Sequence, residues 1–145
     1  MATYTGSLQD GAPVIPIKLV AGLLERARIA PISTLATIDT AYACNFIQEG
    51  LATQMGLKSI RKAKITTPTR YAVECDVYSI RLAFPDGYEL QLEAAEVPFL
   101  VNSERFGCVL GRAFLKHRYL LYSGPENSFT LQHERGQMRP IAMKL

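Results

Sequence analysis

The chain has no tryptophan, only two histidines and only three cysteines among its 145 residues. Each shortage excludes something. His117 and His133 are far apart in sequence, so no Ser-His-Asp or Cys-His arrangement stands out, and surface or packing roles are expected for both. Cys44, Cys75 and Cys108 are an odd number without the short spacing of a zinc site or a disulfide framework. They read as small buried apolar side chains, with a reducing cytoplasm as the expected compartment. A surplus of one charge is also missing: 16 basic residues face 13 acidic ones, for a net charge of +3. The basic residues are scattered, and the RNA-binding and zinc-finger patterns are absent, so no nucleic-acid partner is expected. No apolar run approaches the ~20 residues of a membrane span. The opening "MATYTGSLQDG" lacks a basic stretch followed by an apolar one, so neither a signal peptide nor a membrane partner is expected. The acid pairs Glu74 with Asp76 and Glu93 with Glu96 have no His or Cys beside them. No metal site and no other cofactor is expected.

What is present is an ordinary globular composition, 48% hydrophobic and 20% charged, enough for one domain with a core. Residues 1–12 are polar and read as a loose N-terminal segment, leaving 13–145 as the folded domain. "PVIPIKLV" alternates as a strand whose prolines suit a sheet edge. A second strand resumes after Pro31 and runs from Ile32 to Ile38. "NFIQEGLATQMGLKSI" has near-helical apolar spacing, and predicts a short helix from Gln48 to Met55 with Gly56 as its stop. "RKAKITTPTR" reads as a turn or an exposed hairpin tip. "YAVECDVYSIRLAFPDGYELQLEAAEV" gives the clearest strand signal, two alternating runs around a "PDG" turn in which Gly87 can take positive φ. "CVLGRAFLKHRYLLYSGPENSFTL" reads as a strand, a glycine turn, a one-turn helix and two closing strands. The apolar C-terminal "PIAMKL" suggests a tail held against something. Few helices and many short strands predict a small, mostly β fold, with a closed barrel as its natural form.

Two of these stretches carry chemistry. In "LATIDTAYACNFI" an apolar strand ends in Asp39-Thr40, and far downstream comes "VLGRAFL". In this order, with a short helix and a long hairpin between them, the chain resembles the retropepsin-like aspartic proteases. Those proteins carry an apolar run, then Asp-Thr/Ser-Gly-Ala, then Ile/Val-Leu-Gly-Arg-Asp/Asn-Phe-Leu.

The resemblance implies a closed retropepsin-like β-barrel with one or two short helices, working as a homodimer on a peptide or protein substrate. Hydrolysis of a peptide bond by water needs a base and an acid. Two carboxyl groups about 3 Å apart supply both by sharing one proton. A half-length chain has one such Asp and would obtain the second from an identical subunit across a two-fold axis. On this resemblance Asp39 and its mate would be the catalytic dyad, and Thr40 would brace it across the dimer, with Ala41 beside it in support. Tyr42 and Ala43 would face the substrate channel, and Gly111 and Arg112 would hold the fold. Thr67 and Tyr71, in a flap expected over residues 64–71, would contact the substrate. The chain also departs from the pattern. Ala41 stands where Gly is usual, Tyr42 where Ala is usual, Ala43 where an acid often pairs with the Arg, and Ala113 where Asp or Asn follows it. Arg112 must therefore bind carbonyls or another acid. The same departures suit an alternative, a catalytically impaired dimer that keeps the fold as a peptide-binding or scaffold module. Asp39 itself has a simpler role open to it, capping the turn that follows through its side chain.

Overall fold

The backbone of residues 3–20, 30–67, 70–97 and 106–133 is described by a computed structural model. Side chains 67, 70 and 71 lie outside that description. The strands are β1 (Thr3–Gln9), β2 (Ala12–Val20), β3 (Ile32–Ile38), β4 (Asn45–Gln48), β5 (Arg61–Thr67), β6 (Arg70–Ala83), β7 (Glu89–Val97), β8 (Phe106–Leu110), β9 (Arg118–Ser123) and β10 (Ser128–His133). Two one-turn helices, α1 (Leu51–Gln54) and α2 (Arg112–Leu115), interrupt them.

Ten strands form one sheet in the order β5-β6-β7-β4-β8-β3-β2-β1-β10-β9, and an additional β6–β2 pairing closes six of them into a barrel. The expected mostly β, closed-barrel architecture with two short helices is therefore present. Alternation decides which side chains fill it. Ile15, Ile17 and Leu19 of β2, Ala36 and Ile38 of β3, and Leu110 of β8 face a common core. Each is at most 5% exposed, and burial of such side chains is the main stabilising contribution.

A second apolar cluster lies on the opposite face of the same sheet. Val77, Ala95, Phe46 and Val109 form one row across β6, β7, β4 and β8, joined by Cys75 and Val97. Long strand β6 serves both clusters. Cys75 and Val77 face the second, whereas Tyr78, Ile80 and Leu82 face the barrel core. A strand with strict alternation can do this because its two faces change partners midway, at Val77 and Tyr78.

Several expectations are corrected. The segment 1–12 is not loose over Thr3–Gln9: β1 pairs antiparallel with β10 from Thr3 to Ser7 and with β2 at Leu8 and Gln9. Backbone pairing holds it despite its polar sequence, and Leu8 is buried. Nor is β2 an edge strand, because β3 flanks it along its length. On its other side β1 covers Ala12 and Pro13, and β6 covers Lys18 to Val20. Pro16 falls in the interval between those two partners, where a proline interrupts neither ladder. The helix expected over Gln48–Met55 is only Leu51–Gln54, since Gln48 belongs to β4. The stretch from Arg61 is strand β5, paired with β6 from Arg61↔Val77 to Thr67↔Arg70. Of the two expectations for this stretch, a turn or an exposed hairpin tip, it is the hairpin that forms, and its strand is longer than a tip because the ladder with β6 satisfies the backbone groups of a polar run. The PDG turn forms as expected, with Gly87 at φ 89 and its N–H donating to Phe84 O. The C-terminal "PIAMKL" lies outside the described residues.

Candidate functional site

Strand β8 lies between β3, to which it is parallel, and β4, to which it is antiparallel. The chain leaving β3 must therefore pass around the end of β8 to enter β4. The loop 39–44 makes that passage. The last core side chain of β3 is the buried Ile38, and the half-buried Asp39 and exposed Thr40 follow it at once, so the exit from the core falls at Asp39.

The loop is docked along the chain that follows β8. Asp39 N–H donates to Leu110 O at 3.0 Å, Arg112 N–H to Tyr42 O at 2.9 Å, and Ala113 N–H to Ala43 O at 3.0 Å. The Arg112 guanidinium donates to Thr40 O at 2.7 Å. That carbonyl is the partner required once position 43 holds no acid. Gly111 permits this docking by its size. Its backbone is extended, with φ −96, but a Cβ there would stand 2.3 Å from Cys44 O and 2.7 Å from Tyr42 O.

Asp39 is half-buried, while Thr40, Ala41 and Ala43 are exposed. Asp39 Oδ1 accepts the Ala41 N–H at 2.9 Å, and Tyr42 N–H reaches Asp39 O at 3.4 Å. The carboxylate thus caps its own turn, which fixes its orientation. Tyr42 does not extend into solvent. It is half-buried, and its ring meets Phe46 edge-on at a centroid distance of 5.2 Å, joining the second apolar cluster. Burial raises the Tyr42 phenol above its ordinary pKa, and the nearby Asp39 carboxylate adds to the effect, so the phenol stays protonated. Burial also raises the Cys44 thiol, against a smaller opposing pull from Arg112. A protonated thiol is a poor nucleophile.

The structure brings together Asp39, Thr40, Ala41, Tyr42 and Ala43 with Gly111 and Arg112. The backbones of Thr67 and Tyr71 belong to the β5–β6 hairpin, and their side chains lie outside the described ones. Among the described residues no three His, Cys, Asp or Glu side chains form a metal-holding group. One residue escaped sequence reasoning. Asn45, at the loop's exit, is 3% exposed, accepts the Gly111 N–H through Oδ1 at 3.0 Å and donates from Nδ2 to Glu93 O at 3.1 Å. The available signal was an amide inside the otherwise apolar run "ACNFI".

No protein-family model and no curated protein matches the chain. Solved structures do. The chain is similar to a retropepsin-like aspartic protease from Rickettsia conorii, with a TM-score of 0.54, 14% identity, and coverage of 92% of this chain and 95% of that one. It is also similar to the aspartic proteinase from Irpex lacteus, with a TM-score of 0.57, 14% identity and 92% of this chain covered. It spans 47% of that longer chain. The likeness covers nearly the whole described fold, and at such identity it is a likeness of fold: the barrel is the retropepsin-like one.

Proposed function

We propose that this chain, built on the retropepsin-like fold, is an aspartic endopeptidase whose dyad consists of Asp39 from each of two subunits. One observation carries the reading. Asp39 emerges at the end of β3, on a loop that docks against the Gly111-Arg112 turn through main-chain bonds. A carboxylate held by its own turn and by the end of a core strand is positioned before substrate arrives, as catalysis of water attack requires. The substrate is a peptide: the ionised carboxylate takes a proton from water as the water oxygen bonds to the carbonyl carbon, the protonated carboxyl gives its proton to the carbonyl oxygen, and the C–N bond then breaks as a carboxyl proton passes to the leaving amine. Thr40 is exposed beside Asp39, where it can bond across a two-fold axis.

The test compares the parent with Asp39→Asn on a degenerate peptide mixture, with products read by mass spectrometry. The amide keeps the shape but cannot act as base, so turnover should fall by about a thousandfold or more, with fold and oligomeric state unchanged. A variant that cleaves as fast as the parent overturns the reading.

A second reading has its own observation. Ala41 adds a methyl beside the carboxylate, and Tyr42 is packed against Phe46, which suits a peptide-binding module with impaired turnover. On that reading the parent binds peptides without cleaving them, and Asp39→Asn binds equally well.

A further inference from the structure

Asn45 is one of two buried polar residues among those described. Its amide is used at both ends by main-chain groups from different elements. Glu93 O, the acceptor of Nδ2, belongs to β7. The Gly111 N–H, which donates to Oδ1, belongs to the turn between β8 and α2. Asn45 itself begins β4. One side chain therefore ties β4 and β7 to the turn against which the Asp39 loop is docked.

The loop has two anchored ends. At its entrance Asp39 N–H is bonded to Leu110 O. At its exit Asn45 holds the residue after Leu110. Arg112 and Ala113 hold Tyr42 and Ala43 between those points, but only through main-chain donors of a one-turn helix without a side-chain cap. The loop's other side-chain tie, the Arg112 guanidinium on Thr40 O, is exposed, whereas the Asn45 amide is buried and joins the turn to β4 and β7.

We propose that Asn45 is a positioning residue, clamping the loop to the Gly111 turn so that the Asp39 carboxylate is held in its working position. This rests on the reading of Asp39 as the catalytic carboxylate. Asn45 touches no reacting atom and acts through the loop. Removing the amide leaves the buried Gly111 N–H without its acceptor and takes a half-buried donor from Glu93 O, so the loop and turn must shift apart for the Gly111 N–H to find a new partner. Displacing a catalytic carboxylate relative to its mate lowers turnover more than substrate affinity.

The experiment uses the full chain as parent, Asn45→Ala and Asn45→Asp, with peptide cleavage measured across pH and well below each protein's unfolding temperature. Asn45→Ala should lower kcat by about tenfold to a hundredfold and change KM by less than about threefold. Asn45→Asp keeps the acceptor for Gly111. It regains a donor toward Glu93 O only when its carboxyl is protonated, so its turnover relative to the parent should recover as pH falls. Hydrogen exchange is read in parallel, and Asn45→Ala should speed exchange at Gly111, Arg112 and Ala113 while leaving β9 and β10 protected. Asn45→Ala with turnover within about twofold of the parent, or an Asn45→Asp ratio flat with pH, overturns the proposal. If the parent itself does not cleave, the endopeptidase reading fails separately. Exchange then decides the clamp: unchanged protection at Gly111 in Asn45→Ala overturns it, and faster exchange supports it.

Discussion

Gly111 is the residue on which the loop geometry depends most directly. Its N–H bonds to Asn45, and its Cα faces the carbonyls of Cys44 and Tyr42 too closely for any side chain. Gly111→Ala should destabilise the protein by about 1–3 kcal/mol, because the obstacle is backbone rather than a side chain that can turn aside. Urea unfolding measures this, and a midpoint equal to the parent's would show that the loop tolerates retreat. The cysteines, including Cys44 within the loop, are held as thiols. Burial raises Cys44 and Cys75 above the ordinary thiol range, and fully buried Cys108 is pushed up to about 12, so all three are protonated near neutrality. Asp39 and Arg112 stood out in the sequence because their neighbours formed a pattern. Asn45 did not, because its importance comes from two main-chain groups, at Glu93 and Gly111, that no local pattern brings near it.

At the scale of elements, the β9–β10 hairpin is fastened through a buried histidine. His133 is 2% exposed, its Nδ1 accepts from Arg118 Nε at 2.8 Å, and Tyr88 lies against its ring at 4.0 Å. Arg118 also donates to Phe114 O at 2.7 Å and covers the Phe114 ring, which joins the hairpin to α2. Burial, then the Arg118 charge, pushes the His133 pKa down from 6.5 to about 4, with Asp86 opposing. The unfolded chain accepts a proton near 6.5 that the folded chain refuses until about 4. Stability from this group is therefore complete above 6.5 and is lost as pH falls through that window, with no further loss below it. The melting temperature should drop between about pH 7 and about pH 4, and His133→Gln should flatten that dependence. An equally steep profile in the variant would assign the loss to other groups. Elements also show where pattern reading stops. The period-two alternation of β2, β3, β6 and β7 was visible in sequence, whereas β1 and β5 were not, since their polar residues are held by ladders with β10 and β6. A ladder's partner is chosen by the fold and not by the strand's own composition.

For the whole molecule, the endopeptidase reading has a consequence that one chain cannot satisfy. With one Asp39 per chain, a dyad exists only in a symmetric pair. Light scattering at micromolar concentration should give twice the mass of a single chain, and activity per chain should fall on dilution below the dimer's dissociation constant. A cleaving monomer, or activity proportional to concentration through the dissociation range, would remove the shared dyad. The dilution curve belongs to this scale because no substitution within a single loop reports on it.

Local alternation, turn chemistry and residue type were enough to read the β character, the strand exit at Asp39, the PDG turn and the order of the two motif segments from the chain. That β8 separates β3 from β4, that β6 changes its buried face midway, that Arg112 finds a carbonyl and that Asn45 joins β4 and β7 to the Gly111 turn came from the folded barrel alone. Those features depend on pairing between residues distant in the chain, and pairing is settled when the barrel closes and every buried polar group must find a partner.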